Sequence, residues 1–170
     1  MSVKVSGGEK DMEDQKALRK QLGTLLRNSQ AHMNFDDVVA DFPMEHINTK
    51  PPHVPYTFWH LAEHLRITQW DILEFIRNPN YVSPDWPIGY WPDPSSEASP
   101  LQWENTLAAF RQDLLAIQAL VNDPTTDLFS IIPHGSGQTI LREALLVADH
   151  NAYHIGEMGI LRQVVDAWPH

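Results

Sequence analysis

The segment spanning residues 139–167 constrains this chain more than any other. At about 100° per residue, Leu141, Ala144, Leu145, Ala148, Ala152 and Ile155 form one helical stripe, and Val147, His150, His154, Glu157 and Leu161 form another on the opposite side. A helix that is apolar on nearly every side needs other helices around it. The segment is therefore predicted to be the central, most buried helix of an all-α domain, ended by Trp168-Pro169.

The partners it needs can be found upstream. In residues 11–27, Leu18, Leu22, Leu25 and Leu26 recur at helical spacing after a polar, glycine-containing stretch (residues 1–10) that reads as a flexible tail. Residues 28–30 read as a break. Asn34 then caps a short helical piece with Val38, Val39 and Phe42 on one side, followed by a proline-rich loop over residues 43–55. Residues 56–77 place Phe58, Leu61, Ala62, Leu65, Ile72, Leu73 and Ile76 on one stripe. Ser99-Pro100-Leu101-Gln102 combines a capping serine, a proline suited to the first helical position and a glutamine that closes a capping box. The helix it opens runs to Val121 and stops at Asn122-Asp123-Pro124; residues 125–137 are loop. No stretch alternates as a strand would. The architecture expected is a four-helix bundle, a single domain over residues 11–170. Its long proline- and aromatic-rich connection between the second and third long helices, residues 78–100, is expected to carry the chain across the bundle rather than through a tight hairpin.

Length and charge narrow the function. A chain of 170 residues fits one domain, and folding at that size buries roughly 70% of the extended surface. Acidic residues outnumber basic ones 22 to 12, giving a net charge of −10, which argues against nucleic acid or anionic membrane as a partner. With no cysteine, the chain has no disulfide, no thiolate ligand and no thiol nucleophile of its own. The polar N-terminus does not read as a signal peptide, and no apolar run reaches the ~18 residues of a membrane span. A cytoplasmic protein is expected.

Chemistry concentrates in the nine histidines. His150 and His154, four apart on one helix, put both imidazoles on one face, where they can share a metal ion. Buried there, their nitrogens need partners, which a metal or a hydrogen-bond network with Glu157 would supply. A metal needs a third ligand. The helix over residues 56–77 offers His60 and His64. His64 lies nearer the apolar stripe and is the preferred ligand; His60 points outward and reads as a surface or substrate-pocket residue. Asp71, two turns from His64 on the same side, either orients a ligand or bound water or is an exposed aspartate. Glu157 either accepts a hydrogen bond from a ligating histidine or acts on a water at the metal. Trp86, Tyr90 and Trp91 either wall a substrate pocket or cover a bundle seam. His134, in the loop before the last helix, either approaches the substrate entrance or stays in solvent.

In combination these motifs resemble the DinB-like (DinB/YfiT) superfamily of metalloenzymes, small bundles named after a damage-inducible bacterial protein. The resemblance is carried by Trp59-x-x-x-Glu63-His64-Leu65-Arg66-Ile67-x-Gln69-x-Asp71-Ile72-Leu73 and by Asp149-His150-Asn151-x-Tyr153-His154-x-Gly156, with Tyr90-Trp91-Pro92 and Gly137-Gln138-Thr139 in support. It covers roughly residues 12–169. It implies a three-histidine site of His64, His150 and His154 holding one nickel or zinc ion, with thiol-dependent transferases and isomerases among the relatives; hydrolysis, which would need only a metal-bound water, is the other activity expected. Glutamate at 157 stands where many relatives have glutamine. A low-molecular-weight thiol would have to come from outside the chain. The alternatives are a metal- or ligand-binding stress protein without turnover and a structural bundle that pairs with itself; a homodimer is expected.

Overall fold

The computed structural model describes residues 7–27 and 31–169. The break expected at residues 28–30 and the first six residues of the expected tail lie outside them. Among the described residues there are five α-helices and no strand: α1 (Gly7–Arg27), α2 (Phe35–Val39), α3 (Phe58–Arg77), α4 (Pro100–Asn122) and α5 (Ile140–Val164). α1 begins at Gly7, so residues 7–10 of the expected tail are helical.

The starts of the later helices follow local chemistry. Asn34, Thr57 and Ser99 each cap with a side-chain oxygen, and each donates its backbone N–H in return to the side chain at N3, respectively Asp37, His60 and Gln102. Pro100 occupies the first helical turn of α4, where its missing N–H costs nothing. Thr139 caps α5 by accepting from the Arg142 N–H.

Two apolar clusters make up the core. One joins the starts of α3 and α4 to the end of α5, through Phe58, Leu61, Trp103, Leu107, Met158 and Leu161, with Phe42 stacked on Phe58. The other joins the ends of α3 and α4 to the start of α5 and to α1, through Leu73, Val121, Ala144 and Leu22. α3 and α4 thus lie side by side and run the same way, with α5 antiparallel to α3. Between the clusters, Gln69 donates to the Phe110 carbonyl and accepts from Asn151, tying the three helices together.

This arrangement sets the task of the long connection, which is no tight hairpin. Joining two parallel neighbours requires a return path as long as a helix, roughly 30 Å for the 20 residues of α3. Residues 78–99 supply that path, running back along α3 from its end to its start. They form a strap: Tyr81 meets Trp70, Tyr90 meets Asp71 and His64, and Ala98 is held by Asn48 near the start of α3.

A correction concerns the centre, expected at α5. α3 buries 11 of its 20 residues, whereas α5 buries 9 of 25. α3 is covered by α4, α5 and the strap together. Leu145, Tyr153, Ile160 and Val164 remain exposed on the outer face of α5. No helix among the described residues is long and apolar enough to cross a membrane.

Candidate metal centre

His64, on α3, meets His150 and His154, on α5, at the level between the two core clusters. The His64 Nε2 lies 3.2 Å from the Nε2 of each of the others. The three histidines form a group whose ligand atoms lie within 4.8 Å of one another. Antiparallel packing of α3 on α5 delivers a third imidazole to the pair already one turn apart.

The bonds on the far side of two of the rings decide what the cluster can hold. His64 Nδ1 lies 2.7 Å from the Tyr90 carbonyl. A carbonyl only accepts, so Nδ1 carries the proton and, in the neutral ring, Nε2 is bare. His154 Nδ1 lies 2.7 Å from Glu157 Oε2 and donates to the carboxylate in the same way. Two bare acceptor nitrogens would then face each other at 3.2 Å with no proton between them. A cation placed between them resolves that repulsion. With metal–nitrogen bonds of about 2.1 Å, adjacent nitrogens stand roughly 3.0–3.4 Å apart in octahedral or tetrahedral coordination. The donor set therefore fits a divalent metal ion.

Burial also keeps the rings in their ligating form. It pulls His64 down to about 4, against the Tyr90 hydrogen bond that favours the charged ring. It pulls His150 down to about 3, with His154 and His64 adding to the effect.

The family comparison agrees with this geometry. The family model described as the DinB superfamily matches residues 27–158. The chain belongs to the DinB superfamily. As a member of this metal-binding superfamily it presents a histidine cluster able to take a divalent ion. It shows no significant similarity to a curated protein or to a solved structure.

The remaining candidate residues separate. His60 is not at the surface: it is 2% exposed, and its Nδ1 accepts from the Thr57 N–H to close the α3 capping box. The wheel misplaces it because residues 93–96 of the strap cover the first turn of α3. Asp71 is buried as well, and its Oδ2 accepts from the Tyr90 hydroxyl at 2.8 Å. Glu157 is engaged by His154, the first of its two expected roles. The aromatic wall splits. Trp91 stacks on His64, Tyr90 turns its hydroxyl inward to Asp71, and Trp86 is 78% exposed with only an edge contact to Tyr90. His134 is exposed and bonds the Phe75 carbonyl, away from the cluster.

Two tyrosines escaped the sequence reading. Tyr56 stacks on Trp91, and its hydroxyl approaches Glu157; burial first, and then that carboxylate, raise the phenol. Tyr81 is pushed up by burial and by the Asp71 carboxylate, although its buried hydroxyl and Asp71 Oδ1 form no well-aligned hydrogen bond. Nothing in local spacing marks either residue, because both reach the site from segments outside the helices.

Proposed function

We propose that His64, His150 and His154 bind one zinc or nickel ion and that the protein is a metal-dependent enzyme, most readily a transferase acting through a small-molecule thiol. The observation that carries this reading is the convergence of three Nε2 atoms, with the outer nitrogens of His64 and His154 tied to Tyr90 and Glu157. When bound, a divalent ion on three neutral imidazoles supplies a Lewis acid with an open position, which brings the acidity of a thiol or water toward neutral pH.

The residues around the site favour the thiol. Glu157 is committed to His154 and lies beside Tyr56, while Asp71 is committed to Tyr90. Each carboxylate thus has one oxygen already engaged, whereas a thiol coordinated to a divalent ion gives up its proton without a dedicated base. With no cysteine in the chain, the thiol must be a co-substrate. Trp91 and Tyr56 shield the His64 side of the site from water. Hydrolysis is the second reading, supported by the partial exposure of Glu157.

The test is elemental mass spectrometry on untagged protein never exposed to a nickel column, followed by screens with low-molecular-weight thiols and with esters. About one equivalent of metal and thiol-dependent turnover support the reading. Metal with no turnover of either kind would leave a binding protein. No metal, and none taken up on titration, would leave a structural bundle.

A further inference from the structure

We propose that Asp71 and Tyr90 are positioning residues for His64, and that through them the strap over residues 78–99 is coupled to the ion. This rests on the three-histidine reading above.

Tyr90 grips α3 at two points. Its hydroxyl donates to Asp71 Oδ2 at 2.8 Å, and its backbone carbonyl accepts from His64 Nδ1 at 2.7 Å. The two α3 residues are seven apart, about 10 Å along the helix axis. A residue held at both ends has little freedom to shift its carbonyl, so the direction of the His64 ring is fixed by a carboxylate two turns away. The neighbouring residue, Trp91, closes the face of the same ring, with centroids 3.8 Å apart. Asp71 is only 8% exposed, and a buried carboxylate requires donors. Among the described residues the Tyr90 hydroxyl is its one well-formed donor, with the Tyr81 hydroxyl beside it. Losing the Tyr90 hydroxyl therefore disturbs both the carboxylate and the strap.

Reciprocity follows. If docking of the strap sets the His64 tautomer that binds the ion, the ion must stabilise docking by the same factor. The amides that report this are in the turn next to Tyr90, where Gly89, Tyr90 and Trp91 donate to Asp85, Pro87 and Ile88.

The experiment uses the full untagged chain. Zinc affinity is measured by competition with a chromophoric chelator for the parent, Tyr90→Phe and Asp71→Asn. Outer hydrogen-bond partners of ligating histidines typically contribute 10–100-fold in affinity. Tyr90→Phe is expected to lose a factor in that range while keeping its helical spectrum. Asp71→Asn, whose amide oxygen still accepts from Tyr90, is expected to lose less. Imidazole nitrogen shifts of the metal-free protein should show His64 protonated at Nδ1 in the parent and a tautomer mixture in Tyr90→Phe. Zinc should slow hydrogen exchange at residues 89–91 of the parent.

Parent-like affinity and an unchanged His64 tautomer in folded Tyr90→Phe would overturn the proposal. If that variant does not fold, zinc that leaves exchange at residues 89–91 of the parent unchanged overturns it instead. A parent that binds no zinc overturns the metal reading and the coupling, and the tautomer comparison still decides whether Asp71 and Tyr90 orient His64.

Discussion

The Trp91 indole lies flat on the His64 imidazole, with ring centroids 3.8 Å apart and planes 4° from parallel. A paramagnetic ion held by His64 would therefore sit close to one of the chain's six tryptophans. Nickel(II) or cobalt(II) is expected to quench tryptophan emission on binding, and zinc(II) much less. In Trp91→Phe the quenching should shrink while the binding stoichiometry holds. Undiminished quenching in that variant would mean that another tryptophan reports the ion.

Each ligand should be indispensable. His64→Ala, His150→Ala and His154→Ala are each expected to abolish tight metal binding, because two imidazoles are too few for a stable site. His60→Ala should retain the metal and instead lose stability, since its imidazole closes the α3 cap. Metal content by elemental analysis, alongside thermal melts, separates the two classes. Loss of metal from His60→Ala with retention in His64→Ala would put the wrong histidine in the site.

Glu157 orients His154 through the 2.7 Å contact to Nδ1. Glu157→Ala is expected to weaken zinc by about 10–100-fold, the usual contribution of such a partner. Glu157→Gln keeps an oxygen that can accept from Nδ1 and should lose less. A chelator competition with both variants checks the order. Equal losses would show that the negative charge of Glu157, and not its hydrogen bond, holds His154 in place.

Acid should destabilise the metal-free protein through the site. Burial holds His64 at about 4 and His150 at about 3, while unfolded histidine titrates near 6.5. Between those values the unfolded chain takes up protons that the fold excludes. The site's contribution is thus intact above about pH 6.5 and is lost as pH falls toward 4 and then 3. Urea midpoints measured across that range should drop less for His150→Gln than for the parent. Identical slopes would remove His150 from the acid response.

Arg162 offers a stability test far from the chemistry. It is buried, donates to the Ala167 and Val38 carbonyls at 3.0 Å each, and lies 4.2 Å from the centre of the Trp168 ring. Arg162→Met keeps much of the packing volume but leaves buried carbonyls unpaired, at about 1–3 kcal/mol each. Urea denaturation should show a loss of that order without change in metal content.

Local signals gave the helices. Leucines at helical spacing, the cap at Asn34, the capping box at Ser99 and the stop at Asn122-Asp123-Pro124 act over a few residues, so the order of capping and apolar side chains along the chain is enough to place them. The four-residue spacing of His150 and His154 is likewise legible, because a helix fixes which side chains share a face. The choice of His64 over His60 as the partner also followed from the edge of the apolar stripe, and the structure brings His64 to the pair.

What sequence periodicity could not reach was decided by how the helices pack. A helical wheel counts neighbours on the helix itself and knows nothing of a strap laid over it, so it left His60 at the surface and put α5 at the centre. Parallel packing of α3 and α4 turned residues 78–99 into a return path along α3. That path carries the Tyr90 carbonyl to His64 and the Tyr90 hydroxyl to Asp71, and it lays Trp91 on the ligand ring. Sequence determined the helices and the residues able to bind metal; tertiary structure determined which nitrogens face one another, because that depends on contacts between residues up to 90 positions apart.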